Sequence, residues 1–408
     1  MTPSPQNLRQ FAPLAWLALG TFATGTESFM IAPLLPALAA DLSVRVTVAA
    51  QLVTVFALTY AVSSPLLSAA TSSIGRRKLL LLAMAAFALA NIVASTATGY
   101  WQLMTARVLL AAAAGLYVPN ASALAGVVVA PARRGTALAI VNGGTSAAVA
   151  LGVPLGAVIG HGFGWRMTFV AVGILAAVAT AGLLAGLPRG VDAGLSAPSI
   201  RERIAVVRQP PVLLGLLVTT LWATGAYTNY TYLAPYLTSV AGIAGTHVGL
   251  VLFIWGMAAV AGVFIGGGSN DRWGPRAVMI PAFVLLTLAF ISLSASAAFL
   301  SGTSAALVPV LLAVVVWGLA AWAFFPAQQA RLMQVAGVKV APIALSLNAS
   351  FMYLGFSLGA VLGSFTMMHA SVTGLGWVGA VCEIAALVIV LATVPGARAT
   401  AVPATQRG

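Results

Sequence analysis

Leu155-Gly156-Ala157-Val158-Ile159-Gly160 returns in the second half of the chain as Leu358-Gly359-Ala360-Val361-Leu362-Gly363, and each copy is followed by a Gly-Trp pair, Gly164-Trp165 and Gly376-Trp377. A second pair of segments keeps the same register. Ile74-Gly75-Arg76-Arg77 matches Trp273-Gly274-Pro275-Arg276, with 81 residues from Gly75 to Gly156 and 85 from Gly274 to Gly359. The chain therefore carries one unit twice, in the same direction. Each copy of the six-residue motif lies inside an apolar run longer than about eighteen residues, the length that spans a bilayer as a helix.

Composition agrees with that reading. Of 408 residues, 61% are hydrophobic and 6% are charged. A water-soluble domain needs about a quarter of its residues charged, so the solvent of this chain is lipid. Strands of a membrane barrel alternate apolar and polar residues over about ten positions, whereas these runs are uniformly apolar. Helices satisfy their own backbone groups and are the remaining solution. The single cysteine, Cys382, excludes an intrachain disulfide, and no Cys/His spacing suits a metal.

Twelve spans are predicted near 12–36, 47–70, 78–98, 102–130, 135–160, 165–187, 211–238, 246–269, 276–298, 304–328, 340–368 and 374–395. The fold class is all-α integral membrane, two parallel six-helix repeats. The domains follow as a six-helix bundle over 1–187, a polar linker over 188–210 with a short amphipathic helix near Ile200–Val207, and a second bundle with a short tail over 211–408. The first run is read as a retained helix, because it is too long for a signal sequence and contains Glu27. With both termini in the cytoplasm, sixteen of the 19 Lys and Arg residues fall inside, Arg45 and Arg166 fall outside, and Arg107 falls within a span. That is the asymmetry of the positive-inside rule. The net charge of +13 reads as topology rather than nucleic-acid binding, since the cations sit in short loops.

These residues carry a family resemblance. Gly267-Gly268-Ser269-Asn270-Asp271-Arg272-Trp273-Gly274-Pro275-Arg276 resembles the signature loop of the major facilitator superfamily. The first-half copy is degenerate: Ser68, Ser72 and Ser73 replace the expected Gly, Asp and Arg, and Gly75, Arg76 and Arg77 remain. Gly152-Val-Pro154-Leu-Gly156-Ala-Val-Ile-Gly160 resembles the fifth-helix motif of that superfamily's proton antiporters. Gly20 through Glu27 and Pro33 to Asp41 resembles the first helix of bacterial twelve-span drug and sugar exporters, and Arg107 with Gly115 resembles their fourth-helix arginine motif. The resemblance implies alternating access driven by a proton gradient, with no other cofactor, in a monomer of the bacterial inner membrane.

Six acids are present in the whole chain. Glu27 lies deep in the first span, with Thr24 and Ser28 on the same stretch of helix. An ionised group there is costly and usually faces a cavity or a partner. A carboxylate whose protonation answers to substrate and access is what an antiporter needs; the alternative is a glutamate hydrogen-bonded for packing. Arg107 is the cation of the same half at an overlapping depth, so the two are expected to pair in proton coupling. Aligning Gly115 with Gly318 sets Val310 opposite Arg107, so the repeated fold does not itself require the arginine. The alternative for Arg107 is snorkelling to the interface. Glu383 in the last span is a weaker candidate, and His161, His247 and His369 fall at outer edges.

Three further sets complete the expectations. Asp271 and Arg272 are expected to lock the halves together against Arg133, Arg134 and Gly135, or only to fix a tight turn. The glycines around Pro154 serve either as a bending point or as small contacts between helices. Candidate liners of a substrate cavity are Thr24, Asn142, Trp222, Tyr227, Asn229, Tyr230, Tyr232, Trp322, Gln328 and Asn348, a mixture suited to amphipathic molecules. The expected function is proton-coupled export of drugs. Sugar or metabolite export, importing symport, and a non-transporting sensor or scaffold are the alternatives. No Ser/His, paired-acid or metal constellation suggests an enzyme.

Overall fold

A computed structural model describes residues 5–129, 133–187, 198–337 and 340–393, with backbone alone for 5–11. Arg189, Asp192, Lys339, Arg398 and Arg407 lie outside the described residues, so their predicted sides stay expectations.

Every regular element among the described residues is a helix. The first half comprises α1 (Pro5–Phe29), α2 (Ile31–Asp41), α3 (Val46–Ala70), α4 (Arg76–Ser95), α5 (Tyr100–Val128), α6 (Arg134–Phe163) and α7 (Trp165–Gly186). The linker helix is α8 (Ile200–Val207). The second half comprises α9 (Pro210–Thr231), α10 (Leu233–Ala241), α11 (Thr246–Trp273), α12 (Pro275–Phe299), α13 (Ser304–Ala336), α14 (Ala341–His369) and α15 (Thr373–Thr393). Eleven of these are long and apolar enough to cross a membrane. The broken pair α1–α2 supplies the twelfth crossing. Large exposed apolar side chains such as Leu89, Phe163, Ile174, Phe264, Leu312 and Val388 cover the outside of the bundle, as a lipid-facing surface requires.

Several helices outrun the predicted spans. α11 continues to Trp273 and α13 to Ala336, while α4 begins at Arg76. Hydropathy falls where a helix leaves the hydrocarbon, but backbone hydrogen bonding continues into the polar interface. Asp271 therefore sits in the last turn of α11, followed by Gly274 at φ +80°, and not at the start of the next helix. The Gly-Trp pairs also differ. Gly164 is the turn between α6 and α7 at φ +87°, whereas Gly376 lies inside α15 against the Phe290 carbonyl.

The glycine repeat has a direct structural cause. A Cβ at Gly152, Gly156 or Gly160 of α6 would meet Thr26, Met30 or Leu34 of the first crossing. A Cβ at Gly355, Gly359 or Gly363 of α14 would meet Thr220, Thr224 or Thr228 of α9, on the same step of four residues. In each half, then, the fifth crossing packs closely on the first, against side chains in the first half and against backbone in the second. A π turn over Ala148–Gly152 interrupts α6 just before Pro154.

Between the halves, the repeat again sets the contacts: α6 meets α11 and α3 meets α14, fifth crossing against second in both directions. The α6–α11 seam runs through Gly249 and Gly256, which face Pro154 and the backbone of Val149 and Ala150. At the end marked by Asp41 the halves are tied further. Gln51 Nε2 donates to Ser364 Oγ at 3.3 Å, and α2 touches α10. At the opposite, linker end, a Cβ added at Gly135, Gly143, Gly267 or Gly268 would meet nothing within 4 Å. The halves are tied at the Asp41 end, and these four glycines face open space at the linker end.

Candidate functional site

The first crossing breaks at Met30 because Pro33 follows. Proline has no N–H, so the carbonyl four residues back, that of Phe29, loses its helical partner. The hydroxyl of Tyr230 on α9 donates to that carbonyl at 3.0 Å, across the seam between the halves. One residue earlier, Ser28 Oγ shares a hydrogen bond of 3.0 Å with the Tyr353 hydroxyl of α14. The break thus presents two successive polar groups to the second half.

Glu27 lies directly before them. Arg107 of α5 reaches it with Nη1, 2.6 Å from Oε1 and 3.2 Å from the Glu27 carbonyl, while Nε donates to the Leu52 carbonyl at 3.3 Å. The guanidinium lies over the Phe56 ring at 4.1 Å. Both side chains are 0% exposed. A second ion pair, Arg166 with Asp41 at 2.8 Å, is half-exposed at the Asp41 end. In water such a pair contributes little, but deep burial leaves each charge dependent on the other. The pairing leaves Glu27 Oε2 and Arg107 Nη2 without partners.

Aromatic rings surround this centre. Phe29 contacts Tyr227 at 6.0 Å, Tyr230 at 6.0 Å, Trp322 at 6.5 Å and Phe356 at 5.9 Å. Tyr227 stacks on Phe356 and Tyr60 on Tyr353, each pair at 3.7 Å. Of the candidate liners, Tyr227, Tyr230 and Trp322 converge here. The others do not. Gln328 donates to the Gly215 carbonyl and to Thr219, which donates to Asn348 at 2.6 Å, a buried polar network inside the second half. Thr24 bonds back to the Gly20 carbonyl of its own helix, and Asn229 to that of Gly225. Tyr232 meets Ser364 at 2.6 Å. Trp222 lies against Phe324 and Phe325, and Asn142 bonds Ser122 on an exposed face.

Residues that the sequence reading passed over are Phe29, Phe56, Tyr60, Tyr353 and Phe356. Each is an aromatic in an apolar span, which reads as ordinary core. One signal was available: Tyr353 and Phe356 flank Gly355, and the face that carries the glycine ladder is already committed to α9.

The motif residues occupy structural positions. Arg76 donates to Asn120 Oδ1 at 3.1 Å, and Arg77 caps α7 by donating to the Leu184 and Leu187 carbonyls at 3.0 and 2.8 Å. Asp271 is exposed. Arg272 lies over the Trp273 ring. Glu383 is buried against Gly225 of α9, with neither carboxyl oxygen partnered. His161, His247 and His369 are exposed. In the linker, a capping box joins Ser199 and Glu202, and the hydrogen bonds from Ser199 hold the Glu202 carboxyl below its ordinary range.

The sequence and the fold have relatives. A profile of the Major Facilitator Superfamily matches residues 17–341. The chain is 32% identical over 372 residues to the uncharacterised MFS-type transporter YbcL of Bacillus subtilis, covering 91% of this chain and 93% of that one. It is 31% identical to the inner membrane transport protein YdhP of Escherichia coli K12, covering 90% of each. A chloramphenicol resistance protein of Streptomyces lividans is 34% identical over 276 residues, 67% of this chain and 70% of that one. Among solved structures, the nucleoside transporter NupG has a TM-score of 0.74 at 12% identity, covering 94% of this chain and all of that one. The human organic anion transporter MFSD10 has a TM-score of 0.70 at 16% identity, covering 95% and 100%. These two share the fold.

Proposed function

The chain belongs to the major facilitator superfamily, and on that premise we propose that it is a proton-coupled exporter of small molecules working by alternating access. The observation that carries the reading is the Glu27–Arg107 pair: a carboxylate and a guanidinium, fully buried, 2.6 Å apart, beside the seam between the halves. A scaffold would be more stable with well-packed apolar residues in their place. A transporter gains from them, because protonation of Glu27 releases Arg107 and changes the charge of the site without moving the backbone.

The proposed cycle follows from the neighbours. In this reading both termini lie in the cytoplasm of a bacterial inner membrane, the linker end faces inward and is the open one, and the tied Asp41 end faces outward. Ionised Glu27 is held by Arg107 while substrate enters from the cytoplasm. Opening of the outer end breaks the Ser28–Tyr353 and Phe29–Tyr230 contacts and gives Glu27 a route to external protons. Protonation favours substrate release, and the halves return. The chloramphenicol resistance relative supports export as the direction.

The test is proton flux in everted membrane vesicles. A pH-sensitive dye reports a respiration-generated gradient while a panel of drugs and sugars is added. Compound-dependent proton release from vesicles bearing the protein, absent from control vesicles, is expected. Compound uptake that an uncoupler leaves unchanged would contradict proton coupling.

A further inference from the structure

We propose that Glu383 is a second proton-binding site, distinct from Glu27, and that the proton it holds keeps α15 seated against α9. The site lies in the second half and takes no part in the Glu27–Arg107 pair.

Its surroundings carry no counter-charge. Ten residues of α15 precede Glu383 and ten follow it, so about 15 Å of helix separates it from either end of the crossing. The side chain is 0% exposed. The helices packed most closely on α15 are α9, α12 and α14. Neither α9, α14 nor α15 contains a Lys or Arg, and α12 contributes Arg276 in its first turn, at the linker end. The other titratable groups of these four helices are Tyr227 and Tyr230 among the central rings, Tyr353 on Ser28, His369 exposed in the last turn of α14, and Cys382 beside Glu383 itself. Arg331 of α13 reaches α15 at Thr393, 2.7 Å away and ten residues beyond the acid. A carboxylate in the middle of a crossing, with no cation facing it, is far costlier than the neutral acid. Glu383 therefore holds a proton while it is buried here.

The niche is shaped for the carboxyl group. A Cβ at Gly225 of α9 would lie 2.7 Å from Glu383 Oε1, 2.9 Å from the Gly379 carbonyl oxygen and 3.1 Å from Cys382 Cβ. One turn earlier on α15, a Cβ at Gly379 would run into Asn229 Nδ2, which donates to the Gly225 carbonyl at 3.1 Å. Two glycines on facing helices thus let α9 and α15 close over the acid, and neither carboxyl oxygen has a hydrogen-bond partner there. An apolar side chain would fill the same space at lower cost. Two and five residues beyond Gly225, α9 carries Tyr227 and Tyr230 to the rings around Phe29. Loss of the proton would leave an unpaired charge between α9 and α15, drive them apart, and shift the helix that bears those tyrosines.

Infrared difference spectroscopy of the purified full-length protein, in a detergent without carbonyl groups, tests this. A protonated carboxyl group absorbs above the amide bands, at a frequency that falls when deuterium replaces the proton. At neutral pH the wild type is expected to show such a band and Glu27→Gln to keep it. Glu383→Gln, which retains the shape and cannot ionise, is expected to lose it. In the wild type, raising the pH is expected to remove the band reversibly before a melting curve shows unfolding. Gly225→Ala presses a methyl group against the acid and is expected to speed its deuterium exchange about tenfold. Melting curves establish that both variants fold. No band at neutral pH, a band that survives in Glu383→Gln, or a proton that leaves only on unfolding would overturn the site. Unchanged exchange in Gly225→Ala would overturn its link to the seating of α15. No transported compound is involved, so a failed vesicle experiment leaves this site standing, and absence of the band leaves the export reading to the vesicles.

Discussion

The hydroxyl of Tyr230 donates to the backbone carbonyl of Phe29, the carbonyl that Pro33 leaves without a helical partner. A proline in the first crossing thereby creates an acceptor that the second half fills. Tyr230→Phe leaves that carbonyl buried and unsatisfied, at a cost of about 1–3 kcal/mol. Pro33→Ala restores a local N–H and is expected to recover much of the loss in the double variant. Melting temperatures of the two single variants and the double variant in detergent measure the coupling.

The second prediction concerns the buried pair. Arg107→Leu strands a carboxylate and is expected to lower stability by up to about 3–5 kcal/mol, less to the extent that Glu27 protonates. Glu27→Gln in the same background removes the stranded charge and restores stability. Denaturation of the four members of the cycle at neutral pH gives the interaction energy; strict additivity would show that the contact is energetically empty.

Gly256 carries the third. A Cβ there meets the backbone of Val149 and Ala150 at 2.7 Å. Gly256→Leu is expected to oppose closure at the Asp41 end by about 1–3 kcal/mol, which is about fivefold to a hundredfold in the closed-to-open ratio. A cysteine at Thr47, in a Cys382→Ala background, then reacts faster with a membrane-impermeant maleimide. Gly126→Ala, where nothing stands within 4 Å, leaves the rate unchanged.

Tyr353→Phe removes the bond to Ser28, while Ser28 retains its bond to the Thr24 carbonyl at 2.8 Å, so no buried group is orphaned. The stack on Tyr60 persists. The variant is expected to fold normally and to shift the closed-to-open ratio about fivefold, the equivalent of about 1 kcal/mol for one hydrogen bond. Distance distributions between spin labels on α2 and α10 would report it.

Much of this was legible in the sequence, for identifiable reasons. The glycines at 152, 156 and 160 and at 355, 359 and 363 repeat on a helical step because the fifth crossing packs closely on the first there, against side chains in the first half and backbone in the second, and such a constraint leaves its mark on composition. Glu27 and Arg107 stood out because charge inside hydrocarbon is rare. Gln328 and Asn348 misled because a polar residue in an apolar span signals only that it needs a partner, and Thr219 supplies one inside the same half. Tyr353 and Phe29 were invisible as site residues because an aromatic facing a seam and one facing a core obey the same pattern. The Asp271 loop was read as a turn because charge ended the apolar run, while the helix itself continued.

The most direct test of the central claim uses purified protein in proteoliposomes, with wild type compared to Glu27→Gln. A transported compound from the vesicle panel is followed first as exchange without a gradient and then as accumulation driven by an imposed proton gradient. The account predicts that Glu27→Gln retains exchange and loses proton-driven accumulation. Proton-driven accumulation at the wild-type level in Glu27→Gln would contradict it and remove Glu27 from the proton path.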